Sequence, residues 1–83
     1  MVRKKVDIFG NIFYYNEQDK LHREDGPAAE HASGYKGWFI NGLRHRIDGP
    51  AKEFTDGYKD YYLMDKYYSY EEWLAIKDYP LLW

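Results

Sequence analysis

A heptapeptide that returns after 23 positions constrains this chain more than any other feature. His22-Arg23-Glu24-Asp25-Gly26-Pro27-Ala28 reappears as His45-Arg46-Ile47-Asp48-Gly49-Pro50-Ala51, with six of seven residues identical. The same offset carries Gly34-Tyr35-Lys36 onto Gly57-Tyr58-Lys59, and Trp38-Phe39-Ile40 onto the similar Tyr61-Tyr62-Leu63. A fixed short period means that one supersecondary unit is stacked on copies of itself. The 83 residues hold two such copies, over 21–43 and 44–66, and a degenerate one over 6–20 with Gly10-Asn11 as turn and Ile12-Phe13-Tyr14-Tyr15 as strand. A chain this short forms one domain. After Leu63 the pattern ends, because the positions due to read His-Arg are Tyr68 and Ser69.

Each unit reads as strands joined by tight turns. Residues 28–32 and 51–55 are short extended stretches closed by Ser33-Gly34 and Asp56-Gly57, where glycine supplies the positive φ of a hairpin turn. In the next strand Lys36, Trp38 and Ile40 alternate with Tyr35, Gly37 and Phe39; Lys59, Tyr61 and Leu63 alternate with Tyr58, Asp60 and Tyr62. The Trp38/Ile40 and Tyr61/Leu63 side is assigned to the buried face. Asn41-Gly42 predicts a type I′ hairpin, and the two Asp-Gly-Pro triplets predict rigid corners. Ser69-Tyr70-Glu71-Glu72 has the spacing of a capping box and predicts a helix over about 70–78, with Tyr70, Trp73, Leu74 and the Lys77 stem on the face that closes the last repeat. Leu81-Leu82-Trp83 then folds back or meets a partner. The expected fold is mainly β, an antiparallel meander of about six short strands capped by one C-terminal α-helix.

Composition decides how so thin a sheet can hold together. Ten Tyr, three Trp and four Phe outnumber two Val, five Ile and six Leu. Each ring can bury about 150–250 Å², so a few rings replace a larger aliphatic core. Cysteine is absent, which excludes a disulfide framework, a thiolate zinc site and a Cys nucleophile. Twelve basic and 14 acidic residues give a formal charge of -2, so general nucleic-acid binding is not expected. The basic start Arg3-Lys4-Lys5 reads as a solvated tail. With no apolar run for a signal peptide or membrane span after it, a cytoplasmic location without membrane contact is expected.

Taken together, Leu-His-Arg-x-Asp-Gly-Pro-Ala, a turn at Gly, and Lys-x-aromatic-aromatic-x-Asn-Gly resemble the MORN-like hairpin repeats of small bacteriophage proteins. Many of those end in a Ser/Thr-x-Glu-Glu helix, as Ser69 to Lys77 does here. The resemblance covers Gly10 to Lys77, with departures at Arg44 and in the Glu17-Gln18-Asp19-Lys20 turn. It implies a hairpin-repeat sheet used as a binding surface and no shared catalytic motif. It further implies a phage accessory protein, whose expected role is to bind and inhibit a host factor of a defence system in the host cytoplasm.

His22, Arg23 and Asp25, with their copies His45, Arg46 and Asp48, are the sharpest candidate residues. As structure, each Asp caps the Gly-Pro turn while the Arg pairs with a carboxylate and lies on a ring. As function, His22, Arg23, His45 and Arg46 form a ladder for a small anionic ligand such as a nucleotide signal, since guanidinium forks bind phosphate and stack on bases. A metal site is not expected, because the corner already explains each Asp and nothing fixes the two His/Asp pairs within coordination distance. No cofactor is expected either. His31 occupies the place of Phe54 in the next copy and reads as a half-buried ring.

An enzyme is not expected. Ser33, Ser69 and Thr55 are the only hydroxyl residues of their kind, and none has nucleophile spacing. Adjacent Glu71 and Glu72 diverge by about 100° on a helix and cannot flank one bond. The remaining surplus is Tyr35, Phe39, Tyr58 and Tyr62 on the face opposite Trp38 and Tyr61. These rings either pair across strands on a solvated face or form an interface, with a host protein or with a second copy in a homo-oligomer.

Overall fold

Turn geometry sets the architecture. The computed structural model describes residues 1–83. Three glycine-bearing turns, at residues 7–11, 31–35 and 54–58, share one pattern: the first N–H donates to the last carbonyl at 3.0, 2.8 and 2.9 Å, and the fourth N–H donates to the first carbonyl. That fourth residue is Gly10, Gly34 or Gly57, with φ of 84°, 107° and 89°, a region where a side chain is costly. Asn41 and Gly42 both have positive φ, 49° and 81°, as a type I′ hairpin requires. Met64 and Asp65, 23 positions on, repeat this at 47° and 72°. The expectation that the pattern ends after Leu63 is therefore corrected: residue identity is lost there, but the hairpin continues.

Between these turns run β1 (Arg3–Val6), β2 (Ile12–Tyr15), β3 (Ala29–Glu30), β4 (Lys36–Gly37), β5 (Phe39–Ile40), β6 (Leu43–Arg44), β7 (Lys52–Glu53), β8 (Lys59–Leu63) and β9 (Lys66–Tyr68). Seven form one antiparallel sheet in the order β1-β2-β3-β4-β7-β8-β9, and β5 pairs with β6. Nine strands replace the six expected, for two reasons. Arg3-Lys4-Lys5 is ordered against β2 rather than a tail, with Lys5 opposite Phe13. The unit's long strand also changes partner at Trp38, whose N–H donates to the Ala51 carbonyl while its own carbonyl accepts from His45.

Register sorts the side chains. Phe13, Ala29, Gly37, Lys52 and Asp60 lie opposite one another on one face; Ile12, Glu30, Lys36, Glu53 and Lys59 lie on the other. The molecule measures 40 × 31 × 17 Å, and the short dimension leaves room for little more than one sheet with its side chains. Only 9 of 83 residues are buried, so most of the sheet has no second layer.

The conventional core is confined to the C-terminal end: Leu63 (1% exposed), Tyr68 and Trp73 (5%), with Tyr61, Ile76 and Trp83 packed on them. Helix α1 (Tyr70–Ile76) closes this end. Ser69 Oγ accepts from the Glu72 N–H, and the Glu72 carboxylate accepts from the Ser69 N–H, which completes the expected capping box. Tyr70, Trp73 and Ile76 meet the sheet at i, i+3 and i+6, whereas Leu74, expected on that face, is half exposed. Trp83 folds back through a 3-10 turn (Pro80–Leu82), donating Nε1 to the Ile76 carbonyl at 2.8 Å; Leu81 and Leu82 stay in solvent. Because the helix reaches only the last unit, Trp38 and Ile40 are half-buried rather than core. No helix is long and apolar enough to cross a membrane.

Candidate functional site

Six of the seven positions of the repeated heptapeptide have a structural task on the face that carries the helix; the third, Glu24 or Ile47, is exposed. Arg46 places its guanidinium 3.8 Å from the centroid of Trp38, and Arg23 does the same over Tyr14 at 4.1 Å. The Arg46 fork donates to Asp48 (2.9 Å), to the Pro50 carbonyl (3.0 Å) and to Glu53 (3.1 Å). Arg23 donates to Asp25, Pro27 and Glu30 in the same way, at 3.1, 3.1 and 3.4 Å. The glycine is needed for space: a Cβ on Gly49 or Gly26 would stand 2.8 or 2.9 Å from the guanidinium carbon. Ala28 and Ala51 have no exposed surface. Each His fixes the next hairpin, His22 Nδ1 accepting from the Asn41 N–H (2.9 Å) and His45 Nδ1 from the Met64 N–H (3.0 Å).

A third rung completes the ladder with different chemistry. Tyr61 takes the place of Trp38, but the next Arg position is Ser69, which caps the helix. The helix supplies Trp73 instead, its ring centroid 4.8 Å from that of Tyr61 and its Nε1 donating to the Arg46 carbonyl at 3.0 Å. A guanidinium plane can be covered by the next repeat, whereas an indole closes the stack with a large apolar surface.

Arg23, His45 and Arg46, three of the four anion-site candidates, line a cavity of about 430 Å³ between the two corners, with Trp38 and Ile40 as its wall. His22 lies outside it. Glu24, Asp25 and Asp48 also line the cavity, and Glu30 and Glu53 hold the guanidiniums from the strand side. An anion there meets five carboxylates and two committed cations.

Burial pushes the His45 imidazole below its ordinary value, and the Trp83 ring, 5.0 Å away, supplies part of that cover. A histidine held neutral stabilises the fold fully above the unfolded value of about 6.5. As pH drops below that toward the lower folded value, the unfolded chain takes up the proton first and stability is lost. The urea midpoint is accordingly expected to fall between about pH 7.5 and about pH 5.5. His45→Asn, whose Oδ1 can accept the Met64 N–H without titrating, should show a smaller fall; an unchanged slope would remove His45 as the cause.

The opposite face carries a continuous row of rings. Tyr15, Phe13, His31, Tyr35, Phe54 and Tyr58 follow one another with centroids 6.3, 5.9, 4.9, 5.2 and 6.1 Å apart. His31 is exposed by area rather than half-buried, but its ring sits between Phe13 and Tyr35. Beside the row lies an open groove of about 500 Å³ lined by Phe13, Leu21, Ala29, His31, Tyr35, Phe39 and Phe54, with no residue of fixed charge. Burial raises the Tyr35 phenol above its usual value, and the neighbouring Tyr62 adds to the shift.

Of the four partner-binding candidates, Tyr35 and Phe39 share the groove and Tyr58 ends the row. Tyr62 stands apart. The Arg44 guanidinium covers it at 4.3 Å, the Lys52 ammonium lies 5.6 Å away, and Tyr67 meets it edge-on at 5.7 Å. Arg44 also grips Asp65 at 2.6 Å, which holds the Asp65 carboxyl low.

Sequence reasoning missed Glu30 and Glu53, although they are identical at the 23-residue offset and could have been added to the motif. It also missed Phe13 and Phe54, whose place in the row depends on register between units. Comparison with protein-family models, with curated proteins and with solved structures returned no match.

Proposed function

We propose that this chain is a non-catalytic binding protein that holds a protein partner on the aromatic face of its sheet. One observation carries the reading: helix α1 packs on the opposite face, so the ring row and groove have no cover within the chain. Cross-strand ring pairs do contribute about 0.5–1.5 kcal/mol each, which accounts for the row but not for the open groove beside it. Tyr and Trp are also enriched where interface energy concentrates, because they offer large, stiff contact area. The likeness to MORN-like phage repeats extends the proposal to a phage accessory protein whose partner is a host defence factor. Sequestration of a nucleotide by His22, Arg23, His45 and Arg46 is the weaker reading, given the carboxylates around those guanidiniums.

A tagged copy expressed in its host is expected to retain one protein at fixed stoichiometry. Combined Tyr35→Ala and Phe39→Ala should release it while the domain stays folded by circular dichroism, and Glu24→Ala, on the other face, should retain it. Undiminished retention by the folded double variant would overturn the proposal.

A further inference from the structure

The repeat supplies its own control for one exposed feature. Four turns of the chain share the same pair of backbone hydrogen bonds, at residues 7–11, 16–20, 31–35 and 54–58. Their second and third residues are Glu17-Gln18, Ala32-Ser33 and Thr55-Asp56 in three cases, small or polar as a solvent turn allows, but Ile8-Phe9 in the first. Ile8 is 93% exposed and Phe9 74%, so neither contributes to the core. The turn is nonetheless rigid. The Asp7 carboxylate accepts from the Phe9 N–H, the Asn11 N–H and the Asn11 side chain at 3.0, 2.9 and 2.9 Å. The tip is thus preorganised and carries two large apolar side chains that its geometry does not need, the properties that suit a docking element.

The chain also holds a hollow of the opposite shape. The uncharged groove of the aromatic face has room for a phenyl and a butyl group, and no segment of the chain enters it. Tip and groove are neighbours: the Ala32 N–H donates to the Asn11 side chain at 2.8 Å, and His31 and Tyr35, which bracket Ala32, line the groove. A tip cannot fold into the groove beside it, but two chains related by a two-fold axis can exchange tips, and such an exchange closes.

We infer that a second copy of this chain occupies the groove, each protomer inserting Ile8 and Phe9 between Phe13, Tyr35, Phe39 and Phe54 of the other. The inference rests on the reading of the aromatic face as a binding surface and adds its regulation: the dimer keeps the face covered until a partner competes for it. Two tips of about 300 Å² each, with the smaller concave surface of the grooves they enter, bury under about 1,000 Å² in total, the size of a weak, transient interface. Association is therefore weak and reversible, with dimer formed only at high concentration.

Ile8→Ala with Phe9→Ser tests this without risk to the fold, because it gives the first turn the Ala-Ser pair of the 31–35 turn. Sedimentation velocity from about 1 to about 300 µM should take the wild type from monomer to dimer and leave this variant monomeric. The variant should also capture the host partner at least as well as the wild type. A wild type that stays monomeric throughout, or a variant that associates equally, would overturn the inference. Either result leaves the Tyr35/Phe39 dependence of partner capture standing or falling separately.

Discussion

Trp73→Ala is expected to cost the fold about 3–5 kcal/mol, the usual penalty for truncating a buried tryptophan, and so to leave the domain largely unfolded. The expectation follows from where the core lies. Leu63, Tyr68 and Trp73 are its three buried members, and Tyr61 and Ile76 pack on them. The indole also closes the stack over Tyr61 and donates to the Arg46 carbonyl. Removing it leaves a void and an unpaired carbonyl, and it opens the end that α1 protects. Urea titration followed by circular dichroism should show an early or absent transition. Leu74→Ala, one position away on the same helix and 51% exposed, should shift the midpoint little.

Arg46→Ala is expected to be the next most damaging change, at about 2–3 kcal/mol. The exposed Asp48 is the lesser part, since a solvated ion pair contributes little. What is lost is the plane over Trp38, the donor to the buried side of the Pro50 corner, and the partner of Glu53. Arg46→Lys should rescue only a small fraction, because an ammonium cannot stack and fork at once. Gly49→Ala should act in the same direction but less strongly, for its methyl would stand 2.8 Å from the guanidinium carbon and shift the flexible end of Arg46 on the ring. A urea midpoint for Arg46→Ala within experimental error of the wild type would show that the stack is ornamental.

Much of this fold was legible in the chain because local chemistry and the repeat agree. Gly34, Gly57 and Asn41-Gly42 sit at positive φ where turn chemistry places them, and Ser69 and Glu72 form both bonds of the box that their spacing predicts. The Met64-Asp65 hairpin was not legible, since Met disfavours positive φ and no glycine follows it, although Asp tolerates that region. It is held by tertiary bonds: the Asp65 N–H donates to the Arg44 carbonyl at 2.7 Å, and Arg44 Nε donates to the Asp65 side chain. Strand β1 was hidden for a related reason, because its pairing with β2 follows from the Asp7 turn rather than from Arg3-Lys4-Lys5.

The site divides along the same line. Alternation within one strand put Tyr35, Phe39, Tyr58 and Tyr62 on one face, but a row is a property of neighbouring units. Phe13, His31 and Phe54 join it through register, and Arg44 covers Tyr62 through a hairpin that the sequence did not announce. The His/Arg ladder was visible from the outset, and both of its readings were open until the partners of each guanidinium were known. Trp38 under Arg46 and Tyr14 under Arg23 explain why the motif repeats once per unit.

Native mass spectrometry of the protein purified from its host tests the central claim most directly, because it reports protein partners, small ligands and self-association in one spectrum. The expected spectrum contains the chain bound to one host protein at fixed stoichiometry, and that species disappears in the Tyr35→Ala, Phe39→Ala variant. A chain that carries only a small anionic molecule, still bound in that variant, would contradict it.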